Sequence, residues 1–383
     1  MQLLESVRNG LEITGIPFTG IIGSDFYFMP DSDDIGMYYF VPYIANYFHI
    51  PTTFAIDIFY YAILFIAFGS AIISYWFLYK SFTYRFIAGI GLILFYVFLK
   101  KSYSIPPYFI GSCTALFLIP LFFYIVKHKI ELLRYFLLTA GILIGLSNYI
   151  RSHSGIGIFL FLVCFILLYK NINVIKKYTY IFLLTIGLVI PFIFFSYHIH
   201  NAESYLQKHN YVNADAKRSH PFWHSIYVGL GFMPNKYGIT WLDGVASTKV
   251  KSINPNAAYL SYEYEKILKH EFFSLLKSDP YFILENVFRK SYAVFIMLLP
   301  YISIAPILAL IYRNKNNSIS FLIAIFFGSL PGIIVYPFFE YISVAGAFCI
   351  LYLISSVHNA MDKGLLLDLR RIGLYVIRKF KYK

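Results

Sequence analysis

The sequence predicts an all-α polytopic membrane protein, and three observations carry that prediction. Hydrophobic residues make up 59% of the 383 positions and aromatics 21%, with 40 Phe and 36 Tyr. Charged residues reach only 13%, where an ordinary soluble domain holds about 25%. Long apolar runs recur along the chain without the period-two alternation of strands. A soluble core could not hide so much apolar surface. A secreted enzyme, a cytosolic enzyme and a disordered scaffold are therefore excluded. Lipid offers no partners to backbone groups, so the spans must be helices.

A spanning helix needs roughly 20 apolar residues. About nine transmembrane helices are read, at 53–79, 83–99, 108–126, 133–150, 154–169, 178–197, 291–312, 319–337 and 338–357. The last two are parted only by a turn around Pro337–Glu340. Pro120, Pro191, Pro300 and Pro306 lie in or near spans and should kink them. Cys113, Cys164 and Cys349 sit inside apolar runs and read as small buried hydrophobes, without disulfide or metal-type spacing.

The connections set the orientation. Basic loops at Lys80–Arg85, Lys127–Arg134, Lys170–Lys177 and Arg313–Lys315 follow alternate spans, and the tail carries Lys363, Arg370, Arg371, Arg378, Lys379, Lys381 and Lys383. These five sites agree on one side, which the positive-inside rule makes cytoplasmic. The net charge of +13 is explained by such loops and by anionic head groups, with no nucleic-acid partner. Lys100 and Lys101 dissent, since their connection should be external. They read either as a snorkelling pair or as a contact for an outer-face phosphate.

The chain then divides into five parts. Residues 1–50 form an external acidic loop with an interfacial helix. Residues 51–197 hold six spans. Residues 198–290 form a mostly helical external (periplasmic) module between spans six and seven. Residues 291–357 hold three more spans. Residues 358–383 form a cytoplasmic basic tail, of which Gly364–Lys383 reads as an amphipathic helix on the inner leaflet. Glu5, Arg8 and Glu12 interrupt any signal-peptide pattern in 1–22. An external N-terminus then implies unaided translocation or a missing upstream helix. Inside the module, Tyr259–Leu276 reads as a helix that Asp279-Pro280 ends.

Carboxylates are costly in lipid, so their placement is informative. Of 19 acids, six lie in the first 34 residues and eight in 198–290; six of ten His also lie in 198–290. Only Asp57 falls within a span. This weakens a transporter reading and favours chemistry at the outer interface. The motif PDSDDIG, Pro30–Gly36, places three Asp in four residues ahead of an aromatic run. It is either a solvated acidic turn or a general base or metal ligand, since mutual repulsion raises one of the pKa values. In the turn NYIRSHSG, Arg151 with His153 is either an interfacial arginine or a bidentate phosphate ligand. In HPFWHSIYVGLG, His220 and His224 stand at i, i+4. With His198 and His200 they could form a zinc or manganese site, or serve as plain hydrogen-bonding groups. Trp223, Tyr227, Tyr237 and Trp241 could stack on a sugar or anchor the module at the interface.

Taken together, PDSDDIG in a first external loop, the basic cytoplasmic loops, Arg151, the late external module and the block HPFWHSIYVGLG…NKYG…WLD with YLSYEYE (Tyr259–Glu265) resemble the GT-C superfamily of integral-membrane glycosyltransferases. The likeness is to the bacterial branch related to protein O-mannosyltransferases and lipid A aminoarabinose transferases, and it covers the organisation of most of the chain. It implies a GT-C-like fold in a bacterial cytoplasmic membrane. It also implies an inverting transfer of a sugar from a polyprenyl-phosphate donor to a lipid, glycan or protein acceptor. By resemblance, Asp33 and Asp34 are the candidate catalytic bases, with Asp25 and Asp31 behind them. Arg151, His153, Lys100 and Lys101 are candidates for the donor phosphate. His220, His224, Tyr227, Tyr237 and Asp243 are candidates for substrate binding. The resemblance implies no nucleotide and fixes no cofactor, and a divalent cation (Mg or Mn) bridging the Asp cluster and the phosphate is compatible with it. The family has a helix before its acidic loop and more spans, and this chain departs from it in both. An O-antigen-type polymerase or ligase, or a non-enzymatic transporter or scaffold, are the competing readings.

Overall fold

The computed structural model describes residues 2–23, 25–28, 34–102, 106–209, 221–312 and 315–365. The protein is an all-α polytopic membrane protein with one short hairpin. The helices are α1 (Gln2–Thr14), α2 (Ile35–Phe48), α3 (Thr52–Leu78), α4 (Phe82–Ser102), α5 (Ile110–His128), α6 (Leu133–Ile150), α7 (Ile156–Leu168) and α8 (Val174–Lys208), followed by α9 (Phe222–Gly229), α10 (Asp243–Ile253), α11 (Tyr262–Ser278), α12 (Pro280–Ile302), α13 (Ala305–Ile311), α14 (Lys315–Ile334) and α15 (Ser343–Asp362). Strands β1 (Thr19–Ile22) and β2 (Asp25–Phe28) pair antiparallel between α1 and α2.

Among the described residues, seven helices are long and apolar enough to cross a membrane: α3, α4, α5, α6, α8, α14 and α15. An eighth span exists if α12 and α13 are one helix broken by 64°. The break has a chemical cause: Pro306 near the start of α13 lacks the N–H that would reach the Ile302 carbonyl. The segment expected as a span at 154–169 is α7, apolar but only 13 residues long. At 1.5 Å per residue it reaches about 20 Å, short of the roughly 30 Å hydrocarbon core. The count of nine is thus seven, or eight with the broken pair.

Burial separates the helices by role. The apolar window of α15 is 78% buried and that of α5 is 61%, against 17% for α3. Helices α5 and α15 therefore form the centre of the bundle, and α3 faces lipid. Phe122, Phe161, Phe321 and Phe348 interleave at the heart of this core. Helices α6 and α8 touch backbone to backbone. A Cβ on Gly141 would fall 2.9 Å from the Gly187 Cα and closer still to the Leu184 carbonyl oxygen. Small residues permit such close crossings in membranes, where packing replaces the hydrophobic effect as the driving force.

The N-terminal segment is more structured than an acidic loop. Helix α1 buries Leu4, Val7 and Leu11, and Ser6 bonds the hairpin through Ile21 on both its N–H and carbonyl. Glu5 accepts from Thr52 at 2.7 Å, tying α1 to the start of α3.

The module between α8 and α12 has its own core, built from Tyr227, Val228, Ile239, Ala246, Val250, Tyr264, Leu268, Phe282 and Ile283. The expected limits at 198 and 290 fall inside continuous helices. Helix α8 runs on to Lys208, and α12 starts at Pro280 within the module and continues as membrane helix. The expected helix at 259–276 is α11, whose first turn is capped by Ser261 Oγ. Asp279 then caps α12 through the Phe282 N–H at 3.1 Å, with Pro280 in the first turn. Several contacts bind module to bundle. Lys290, 1% exposed, donates to the carbonyls of Ile334 at 3.2 Å and Val335 at 2.9 Å, at the negative end of α14. Trp241 packs on Tyr336 with ring centroids 4.5 Å apart. The basic tail lies outside the described residues from 366 onward.

Candidate functional site

Asp34 and Arg151 meet where α2 begins and α6 ends. Gly36 makes the approach possible: a Cβ there would fall 2.9 Å from the Ile150 side chain and 3.0 Å from its backbone nitrogen. Asp34 sits at the N-cap of α2, yet its side chain makes no capping bond. Its Oδ1 instead accepts from Arg151 Nη1 at 3.2 Å. The two side chains are 20% and 13% exposed, so water reaches the pair without dispersing it.

The turn that carries Arg151 is locked by its own polar residues. Ser147 and Ser154 hydroxyls lie 2.7 Å apart, and the Asn148 carbonyl accepts from the Gly155 N–H at 2.7 Å. His153 takes a left-handed conformation, φ 66°, which reverses the chain into α7. Tyr108 completes the setting. Its ring centroid is 3.9 Å from the guanidinium carbon, and its hydroxyl accepts from Nη2 at 2.7 Å. The Tyr108 carbonyl in turn accepts from Ser343 Oγ at 2.6 Å, so α15 helps fix the arginine. Burial pushes the Tyr108 hydroxyl well above the usual phenol range, although Arg151 pulls the other way. The Tyr60 hydroxyl lies within electrostatic reach of both Asp34 and Arg151. It is buried and has no hydrogen-bond partner among the described residues.

Arg151 and His153 line a cavity of about 200 Å³. The other walls are largely apolar: Phe327, Leu330, Pro331 and Ile334 of α14, with Phe222 and Ile226 of α9. Glu340 and Tyr341 close the polar end. A second cavity of about 260 Å³ lies between α2, α3, α5 and α6, walled by Phe40, Phe59, Ile63, Phe117 and Leu143. Ser147 and Ile150 bring it to the same turn as Arg151.

The other candidates fall elsewhere. Asp31 and Asp33 lie outside the described residues, as does His220. Asp25 is exposed on β2. Lys100 and Lys101 are exposed at the end of α4 and do not line the Arg151 cavity. Lys101 Nζ stands 5.3 Å from the Phe339 ring centroid and 5.8 Å from that of Tyr301.

His224, Tyr227, Tyr237 and Asp243 are built into the module. His224 is 5% exposed; its Nδ1 meets the Tyr264 hydroxyl at 2.9 Å and its Nε2 meets Asp243 Oδ1 at 3.0 Å. Burial, with Tyr259 and two nearby carboxylates, holds the Tyr264 hydroxyl far above the phenol range. Asp243 can only accept, so Nε2 carries the hydrogen, and in the neutral imidazole Nδ1 then accepts from Tyr264. Glu265, 4% exposed, accepts from the N–H groups of Trp223 at 2.6 Å and His224 at 3.1 Å, capping α9 from across the module. Tyr227 is in the core, its hydroxyl pushed up to about 12 by burial, with Glu271 adding to the effect. Tyr237 donates to Asp279 at 2.8 Å. Helix α9 thus shows two faces. His224 and Tyr227 hold the module together, while Phe222, Ser225 and Ile226 line the Arg151 cavity.

Tyr60, Tyr108, Glu340 and Tyr341 were not singled out as site residues. Glu340 alone carried a signal, as a lone carboxylate between two apolar runs. Among the described residues no group of three or more His, Cys, Asp or Glu is arranged to hold a metal ion. Comparison with protein-family models, curated proteins and solved structures gave no match for this chain.

Proposed function

We propose that the protein is an inverting membrane glycosyltransferase of GT-C type. It would move a sugar from a polyprenyl-phosphate donor to a hydroxyl acceptor at the outer face of a bacterial cytoplasmic membrane. One observation carries this reading: Arg151, ion-paired with Asp34, lines a cavity whose walls are largely apolar. That is the shape of a phosphate attached to a hydrocarbon chain.

The chemistry follows from the pair. Donor phosphate competes with Asp34 for the Arg151 guanidinium, which favours planar bidentate anions. Its arrival releases the Asp34 carboxylate. Asp34 then takes the proton of the acceptor hydroxyl as that oxygen bonds to the anomeric carbon. The bond from anomeric carbon to phosphate oxygen breaks, and its electron pair leaves with the lipid phosphate. Arg151 stabilises that growing charge. Tyr108 holds Arg151, and Tyr60 offers a buried hydroxyl below the reacting groups. The acceptor is a lipid, glycan or protein bearing a free hydroxyl.

The test is label transfer in proteoliposomes from a polyprenyl-phosphate sugar pool to a host lipid and glycan extract. Wild type is run beside Asp34→Asn, Asp33→Asn and Arg151→Ala. Transfer lost in Asp34→Asn while the variant still inserts and melts normally supports the reading. Transfer that survives both Asp34→Asn and Arg151→Ala sinks it and favours a polymerase or ligase.

A further inference from the structure

The Arg151 cavity occupies one end of the bundle, and a second polar cavity occupies the other. Helices α5, α7, α14 and α15 each run from one to the other. Tyr108 before α5, His153 and Ser154 before α7, Ile334 closing α14 and Ser343 opening α15 surround the first. Lys127, Tyr169, Asn317 and Asp362, at the opposite ends of the same helices, surround the second. Its volume is about 270 Å³.

The lining changes along the helix axes. On α5 it passes from Ile119 and Phe123 to Lys127, and on α15 from Leu351 and Ile354 to Ser355, His358, Asn359 and Asp362. The inner part is apolar and the rim is polar. His358 is 2% exposed and stacks on Tyr79, with ring centroids 3.9 Å apart, while Tyr84 lies 5.5 Å from the imidazole and 5.6 Å from Tyr79. Its Nε2–H donates to the Tyr84 carbonyl at 2.8 Å. Its Nδ1 is buried with no partner among the described residues. The Tyr84 hydroxyl lies within electrostatic reach of Asp362. Lys127 Nζ stands 5.8 Å from the Tyr79 ring centroid. Among the described residues, the charged groups lining the cavity are therefore one ammonium and one carboxylate.

This end of the protein also carries Lys80, Arg85, Lys129, Arg134, Lys170, Lys176, Lys177 and Lys363. Such a collar marks the surface that meets anionic lipid. We infer that this cavity binds a phosphate ester bearing free hydroxyl groups, as in the head group of an anionic glycerolipid. Lys127 takes the phosphate, Asp362 accepts from the hydroxyls, and Asn317 and Asn359 serve either. The apolar inner wall receives the first carbons of an acyl chain. A free phosphate ester shares the head-group chemistry but leaves that wall uncovered. The inference is independent of any transfer at Arg151.

The experiment reconstitutes the full chain in nanodiscs of mixed phosphatidylglycerol and phosphatidylethanolamine and reads co-purifying lipid by native mass spectrometry. Wild type should retain phosphatidylglycerol in preference to phosphatidylethanolamine. Lys127→Ala, at an exposed position, should reduce that retention about tenfold, the loss of one charge-assisted bond. Lys129→Ala, on the same surface but outside the cavity, should leave it unchanged. A parallel arm adds soluble glycerol phosphate. Stabilisation by it that depends on Lys127, with no retained lipid, assigns the cavity to a soluble ester. Equal retention of both lipids, or retention indifferent to Lys127 with no effect of glycerol phosphate, overturns the inference.

Discussion

Asp34 and Arg151 are 117 residues apart in the chain and 3.2 Å apart in space. Their meeting depends on Gly36, which lets α2 rest on the last turn of α6, and on a turn in which Ser147 bonds Ser154 and the Asn148 side chain accepts from the Gly155 N–H. The pair is assembled by the fold before any ligand arrives.

The first prediction concerns Tyr108. Tyr108→Phe keeps the ring against the guanidinium but removes the 2.7 Å bond. Glycosyl transfer should fall about tenfold, from the loss of one hydrogen bond to a charged group. Tyr108→Ala removes the stack as well and should fall further. Initial rates across donor concentration will place the loss in donor affinity, because the ring acts through Arg151.

Gly36→Val should separate α2 from α6. Its side chain would collide with Ile150, so Asp34 and Arg151 can no longer pair. Overpacking of this kind costs about 1–3 kcal/mol, which lowers the melting temperature without abolishing insertion. Transfer activity should be lost out of proportion to stability.

Glu265→Ala should destabilise the module. The change leaves the N–H groups of Trp223 and His224 without their acceptor at the start of α9, a cost of about 1–3 kcal/mol for buried groups. Trp223 is nearby, so tryptophan fluorescence during thermal unfolding reads the effect. Since α9 also walls the Arg151 cavity, donor affinity should weaken in the same variant.

Asp279 gives the module a pH dependence. Bonds from Lys236, Tyr237 and the Phe282 N–H hold its carboxyl below the usual value. The resulting stability is fully present above the unfolded carboxylate value, near 4, and is lost as pH falls through the lower folded value. Thermal melts of wild type between pH 3 and roughly pH 6 should therefore steepen at the acid end. Asp279→Asn should be less stable at neutral pH and show a shallower acid slope.

The spans were legible because apolar length is a local property. Seven of the expected runs are helices of spanning length or more, and the break at Pro306 follows from an imino acid that cannot donate. The shortness of α7 was less legible: Ser152–Gly155 reads as weakly apolar in a window, yet it folds back on α6 through hydrogen bonds. At the site, Asp34 and Arg151 were legible as residue types that are rare beside lipid. Their partners Tyr60 and Tyr108 were not. In a chain with 36 Tyr, only three-dimensional placement distinguishes a tyrosine that grips an arginine from one that anchors at the interface. His224 had the right chemistry for a site, but its two nitrogens are committed to Tyr264 and Asp243, which sequence spacing does not reveal. Glu265 lies 42 positions from the N–H group of Trp223 that it caps, so no local pattern could mark it.

The glycine contact between α6 and α8 also gives the protein a direction. Two helices whose backbones touch leave no gap for an acyl chain, so that flank of the bundle is a closed wall to anything diffusing in the bilayer. The opposite flank is furnished differently: Phe222 of α9 is 44% exposed and Ile334 of α14 is 40% exposed, both at the rim of the cavity. A lipid-linked substrate of the proposed transferase would therefore approach Arg151 past α14, beside the carbonyls of Ile334 and Val335 that Lys290 grips.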